Sequence, residues 1–419
     1  MIDRIRYKVS LLITALGFWL IAAPVTFGYK DSKMWLSDPI SGLLLMAVGV
    51  FACTTGKKFF YLSAVVLGFW LQLAPLVFWA PDGVTYLNDT LVGLLVIILA
   101  FSLPGMMGSD KEEGGETPEG WSFNPSEWSP RIITVSLAMV CWFLARYMSA
   151  YQLGYIDHVY DPFFGDGTTK VITSSVAHMC PVSDAGLGAL VYSLEFILGW
   201  MGSDRRWRTM PWLAGIFGLM VVPAGVTSIL LIVSQPVLVG AWCGLCLTTA
   251  ACMLVMVLLT IPEMVAVFQL LYQAKKTGKG FWKVFWKGDP MASSAKRAQP
   301  IARKGFSRFG FTCPWNLVAS ILLGAWLMCA PSILGVMHPA SDSNFVVGPL
   351  VITFSIIAMS EATRSLRFVN LLLAIFLLSA PFWLIGFSSL GTMNNLIVGA
   401  LIALLSFRKG KVLEQYGKW

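Results

Sequence analysis

Twelve apolar runs, each long enough to cross the roughly 30 Å of a bilayer's hydrocarbon at 1.5 Å per residue, dominate this chain of 419 residues. They fall at about 9–28, 39–56, 60–80, 88–107, 131–151, 184–202, 211–234, 237–261, 314–335, 344–361, 366–388 and 393–407. Lipid cannot hydrogen-bond to the backbone, so such runs fold as helices. The chain is therefore expected to be an all-α polytopic membrane protein of about twelve transmembrane helices. With 57% hydrophobic and 12% charged residues, its composition excludes a soluble enzyme.

Basic residues give the expected orientation. Arg4, Arg6, Lys8, Lys57, Lys58, Arg205, Arg206, Arg208, the Lys275 to Arg308 stretch, Arg364, Arg367, Arg408, Lys409, Lys411 and Lys418 all fall on one side of the alternating loops. Only Lys30, Lys33 and Lys170 fall clearly on the other. Lys and Arg stay preferentially cytoplasmic, so both termini are placed inside. The net charge of +8 is then explained by topology and anionic inner-leaflet lipid, without a nucleic-acid partner. The first apolar run reads as an anchor rather than a cleaved leader.

Internal echoes divide the chain. GFWLIAAP (Gly17 to Pro24), GFWLQLAP (Gly68 to Pro75) and GAWLMCAP (Gly324 to Pro331) repeat, with a weaker echo at Ala380 to Gly386. Each complete copy opens a two-span unit, and the Trp and Pro read as structural devices. The copies are similar to the SPW-repeat family over about 9–108 and 314–407, a resemblance that implies no chemistry. The plan is four plus four plus four spans: 1–108 an SPW-repeat block, 109–130 a Gly-, Pro- and acid-rich linker that suits a flexible cytoplasmic connection, 131–261 a central block, 262–312 a basic joint, and 313–419 a second SPW-repeat block with its tail. In the joint, Phe and Trp alternate with Lys, which suits either a helix on the inner leaflet or a solvated connector.

The central block holds the chemistry. Cys243 and Cys246 stand three apart where the eighth span begins, in SQPVLVGAWCGLCLTTA. Residues i and i+3 share a helix face, so the two sulfurs can close a disulfide, and a helix N-terminus stabilises a thiolate. As a tetrapeptide alone, the pair reads equally as two packing residues. The order of spans, the long loop 152–183 and these flanks resemble the vitamin K epoxide reductase (VKOR) family over about 131–261. That resemblance implies a four-helix bundle, a membrane quinone (ubiquinone or menaquinone) as co-substrate and a thioredoxin-like extracytoplasmic thiol protein as partner. It makes Cys246 the sulfur nearest the quinone and Cys243 the one that exchanges with an incoming thiol. The site then lies at the outer face of a bacterial cytoplasmic membrane and supports disulfide formation in exported proteins.

The loop departs from the family, which carries a relay pair of cysteines there. Segment 152–183 offers only Cys180. Either a partner attacks the Cys243–Cys246 disulfide directly, or Cys180 relays alone, or activity is lost. Ser183, opening SDAGLG, stands either at a quinone oxygen or as a helix cap. Glu195, deep in the sixth span, either supplies protons for quinone reduction or is paired with Tyr192 or Tyr147. Arg146 reads as snorkelling outward from the fifth span. His158, His178 and His338 lack metal-ligand spacing, so no metal site is expected, and no nucleotide motif occurs. The competing readings are a transporter and a non-catalytic membrane scaffold with a degenerate core.

Overall fold

The computed structural model describes residues 2–102, 117–289 and 305–412. Its helices are α1 (Ile2–Phe27), α2 (Ser32–Thr55), α3 (Lys58–Val77), α4 (Gly83–Phe101), α5 (Trp128–Gln152), α6 (Gly167–Ile172), α7 (Asp184–Trp200), α8 (Arg206–Thr209), α9 (Pro211–Ser234), α10 (Gly244–Lys276), α11 (Phe281–Lys287), α12 (Trp315–Leu334), α13 (Ala340–Ile357), α14 (Arg367–Ser379) and α15 (Ser389–Phe407). Among the described residues, eleven helical segments are long and apolar enough to cross a membrane. The twelfth expected span is α7, whose 17 residues reach roughly 25 Å. The protein is a polytopic all-α membrane protein, and no strand occurs among the described residues beyond one bridge between Phe311 and Ser360.

By its contacts the chain divides into two compact units, Met1–Asp110 with Ala138–Gly202, and Lys111–Leu137 with Ser203–Trp419. In the first, α1 packs on α2 and α3 on α4. The glycine that opens each sequence echo makes the close approach possible. A methyl added at Gly17 would stand 2.6 Å from the Gly42 carbonyl oxygen, and one at Gly68 would stand 2.8 Å from that of Gly93. Without a hydrophobic drive between helices in lipid, such small-residue contacts supply the packing. The echo's proline sits in the last turn, and its carbonyl is closed by the amide five residues on, Tyr29 N–H to Pro24 at 3.1 Å and Ala80 N–H to Pro75 at 2.9 Å.

The second unit repeats the device. A methyl at Gly324 of α12 would stand 2.8 Å from the Gly348 carbonyl oxygen of α13, and Val336 N–H closes the Pro331 carbonyl at 3.1 Å. The fourth copy lies earlier than the echo at Ala380 to Gly386 suggests. Ala374 to Pro381 (AIFLLSAP) has the seven-residue Gly-to-Pro spacing of the others, with Ala374 in the glycine's place. A methyl at Gly399 of α15 would meet the Ala374 carbonyl oxygen at 3.3 Å, a looser crossing. Residues 380–382 form a 3-10 turn that ends the span.

The joints differ from what composition suggests. Residues 117–127 pack in place: Trp121 and Phe123 are buried in one core with Trp207, Ala266, Leu270 and Leu271, and Trp121 Nε1 donates to Gln269 Oε1 at 2.9 Å. The aromatic burial fixes this half of a segment that Gly, Pro and acids make look flexible, while residues 103–116 lie outside the described residues. In the basic joint, α10 continues to Lys276, so its 33 residues, roughly 50 Å, exceed the hydrocarbon. Short α11 follows, burying Val284 and laying Trp286 along Trp212 at 6.4 Å, with Trp282 exposed. Residues 290–304 of that joint lie outside the described residues, as does the tail from 413.

Candidate functional site

In the second unit, α9 runs into a π-helical turn, Gln235–Val239. Pro236 lacks an amide hydrogen and its ring crowds the preceding turn, which widens the helix there. Gly240 then adopts a left-handed φ of 70°, and the chain enters α10 within three residues. Cys243 is the N-cap of α10, in extended conformation, and its Sγ accepts from Cys246 N–H at 3.0 Å. A disulfide joins Cys243 to Cys246, with Cα atoms 5.2 Å apart. Cys243 is fully buried and Cys246 half-buried. The first free amides and the positive end of the helix dipole face these sulfurs, which favours a thiolate on reduction. Thr248 and Thr249 satisfy their hydroxyls on the Gly244 and Cys246 carbonyls, both at 2.9 Å, so the helix proceeds into lipid with no unmet polar group at those positions.

The first unit holds Cys180, Ser183 and Glu195. Cys180 is a free, exposed thiol. Ser183 caps α7, accepting from Gly186 N–H at 2.9 Å, and donates to Gln152 Oε1 at 2.6 Å. Of the two glycines in SDAGLG, Gly186 is the tight one, where a methyl would stand 2.5 Å from Leu76 Cδ2, while Gly188 makes ordinary contacts. Glu195 is wholly buried and neither carboxyl oxygen has a hydrogen-bond partner. Neither expected tyrosine pairs with it, and Tyr147 Oη instead accepts from Tyr160 N–H at 3.0 Å. Arg146 does not snorkel: it donates to Thr90 Oγ1 at 2.6 Å and lies 4.4 Å over the Tyr86 ring. Among the described residues no group of His, Cys, Asp and Glu is arranged to hold a metal ion.

Residues 132–261 match the model of the Vitamin K epoxide reductase family. Residues 8–102 and 314–409 match that of the SPW repeat domain. The chain carries a VKOR-family domain between SPW repeat domains. Searches of curated proteins and of solved structures gave no match. At the level of the family, the VKOR domain supports a membrane oxidoreductase with its cysteine pair at 243 and 246.

Two parts of the VKOR domain and its flanks were not read from sequence. Gln235, buried in the π turn, accepts from Cys243 N–H at 2.9 Å and so fixes the start of the disulfide turn. Its only sequence signal is an amide inside an apolar run. Just beyond the domain's end, Glu263 of α10 forms a buried, two-bond pair with Arg206, both bonds 2.6 Å, and accepts from Ser126 Oγ at 2.5 Å. Glu263 therefore joins three segments, accepting from Arg206 of α8 and from Ser126 while standing on α10.

Proposed function

We propose that the protein is a membrane thiol:quinone oxidoreductase of the VKOR type, working through Cys243 and Cys246. The observation that carries this reading is the disulfide at the head of a lipid-spanning helix inside the family-matched region. In the reducing half-cycle, two thiols of an extracytoplasmic, thioredoxin-like protein become a disulfide and the Cys243–Cys246 disulfide becomes a dithiol. In the second half-cycle that dithiol gives up two electrons and two protons and closes again. When bound, a quinone supplies the two-electron, two-proton acceptor and dissolves in the same lipid layer, as quinol does on leaving.

The donor set fits that group: a closely spaced sulfur pair, with half-buried Cys246 as the residue facing the acceptor and buried Cys243 as the exchanging one. Exchange at Cys243 then begins with movement of the 240–242 turn. Direct attack by the partner's thiol is the favoured route, and relay through the exposed Cys180 alone is the second. Glu195, buried without a partner, carries protons, and Ser183 is assigned to the cap of α7. The basic-residue pattern supports a site at the outer face of the membrane, read here as a bacterial cytoplasmic membrane.

The test is quinone reduction by the purified protein with a small dithiol as donor. Turnover is expected in the unmodified chain and background rate in Cys246→Ala. An equal rate in both would overturn the reading and favour a scaffold or transporter.

A further inference from the structure

Helices α2 and α4 each carry an aspartate four residues before the crossing glycine: Asp38 before Gly42 and Asp89 before Gly93. Four residues is about one turn, so both carboxyls face the helix seam. Each is 0% exposed. Tyr29 Oη, from the turn between α1 and α2, donates to Asp38 Oδ2 at 2.8 Å. Asn88 Nδ2 donates to Asp89 Oδ1 at 3.3 Å and to Tyr29 Oη at 3.1 Å. Burial and then the two facing carboxyls hold the Tyr29 hydroxyl above its ordinary pKa, so it stays a donor.

One oxygen on each acid, Asp38 Oδ1 and Asp89 Oδ2, has no donor from the protein. Tyr29 Oη and Asn88 Nδ2 link the two carboxyls into one network, running from Asp38 through Tyr29 and Asn88 to Asp89. Two buried carboxylates in one network repel and present only acceptors to each other, so a hydrogen held by one of them relieves both. Among the described residues neither acid has a basic partner: Lys30 is paired with Asp82 at 3.6 Å, and Arg146 is turned to Thr90.

The second SPW block shows that the seam itself does not need acids. Asn344 and Asn395 stand at the same places, four residues before Gly348 and Gly399, and bond reciprocally through Nδ2 and Oδ1 at 3.1 and 2.9 Å. That amide pair satisfies itself. The acid pair is incomplete without a ligand.

We propose that Asp38 and Asp89 form a proton-binding site, holding one exchangeable proton between their carboxyl groups, with half-buried Tyr29 relaying it. One proton leaves a single negative charge on the pair, which the Tyr29 and Asn88 donors stabilise. A metal cation suits the site poorly, because both of those groups present hydrogens to it. The site is independent of the cysteine chemistry.

The test is infrared spectroscopy of the full-length protein in lipid bilayers across a pH series. The unmodified chain is expected to show a protonated-carboxyl stretch that titrates and shifts in heavy water. Asp38→Asn with Asp89→Asn, which reproduces the self-satisfied amide pair, is expected to lose that band while the Glu195 contribution remains. If that variant does not fold, Asp89→Asn alone leaves an amide facing Asp38 and is expected to lose the same band. Superimposable spectra from variant and unmodified protein would overturn the proposal, as would a band that disappears when sodium replaces potassium. Tyr29→Phe is expected to keep the band and move its titration midpoint, and an unmoved midpoint would remove Tyr29 from the relay.

Discussion

The two SPW blocks are the same construction with different polar contents. In both, a glycine on one helix meets a glycine carbonyl on the next, and a tryptophan of the echo reaches an asparagine, Trp19 to Asn88 at 2.8 Å and Trp326 to Asn394 at 2.7 Å. Where the first block buries Asp38 with Asp89, the second buries Asn344 with Asn395. Backbone proximity, set by the glycines, determines the crossing; the side chains one turn before it are free to change. Neutral amides close the seam on themselves, and acids leave it open to a proton.

The comparison breaks most severely at the glycines. Gly17→Val and Gly324→Val each push a branched side chain against a carbonyl oxygen that cannot move aside, and each is expected to cost about 3 kcal/mol, read as the unfolding midpoint in detergent. A large loss in one block with none in the other would show that the crossings are not equivalent. Asn395→Asp sharpens the polar contrast. It removes the donor to Asn344 Oδ1 and is expected to cost about 2 kcal/mol at neutral pH. A protonated carboxyl donates again, so the lost stability should return as pH falls. A pH-independent loss would contradict the contrast. Trp19→Phe and Trp326→Phe should each cost about 1 kcal/mol or less, and equally, since each loses one exposed bond. Least affected is Gly399→Ala, a few tenths of a kcal/mol, because that crossing is already spaced for the larger Ala374 and a methyl there meets a flexible leucine at 3.0 Å.

Apolar length made the spans legible, and the cysteine pair stood out because it sits at a span boundary. Other features depend on pairing across sequence distance. Arg206 counted as one more inner charge until Glu263, 57 residues away, placed it in a buried pair. Trp121 and Phe123 were hidden in a window of Gly, Pro and acids, although two aromatics suffice to anchor it. Asp38 stands just before the run drawn at 39–56 and Asp89 at the start of the one drawn at 88–107, so run position alone does not single them out. Their helices begin at Ser32 and Gly83, which draws both acids into the second turn and under cover. The fourth repeat was misplaced because Ala374 replaced the glycine that marks the others, leaving the wrong Ala-Pro pair more visible.

One property of the disulfide bears on how the domain survives turnover. The atom that ends α10 is a sulfur of the reacting pair, and it already accepts the Cys246 amide hydrogen while oxidised. A Cys243 thiolate accepts that hydrogen more strongly still, as an ionised acceptor does. The helix is thus terminated in both redox states by the same atom. Under the proposed function, electrons pass through its first turn repeatedly while the backbone hydrogen bonds beneath it stay in register, so that turn need not unravel to be recharged.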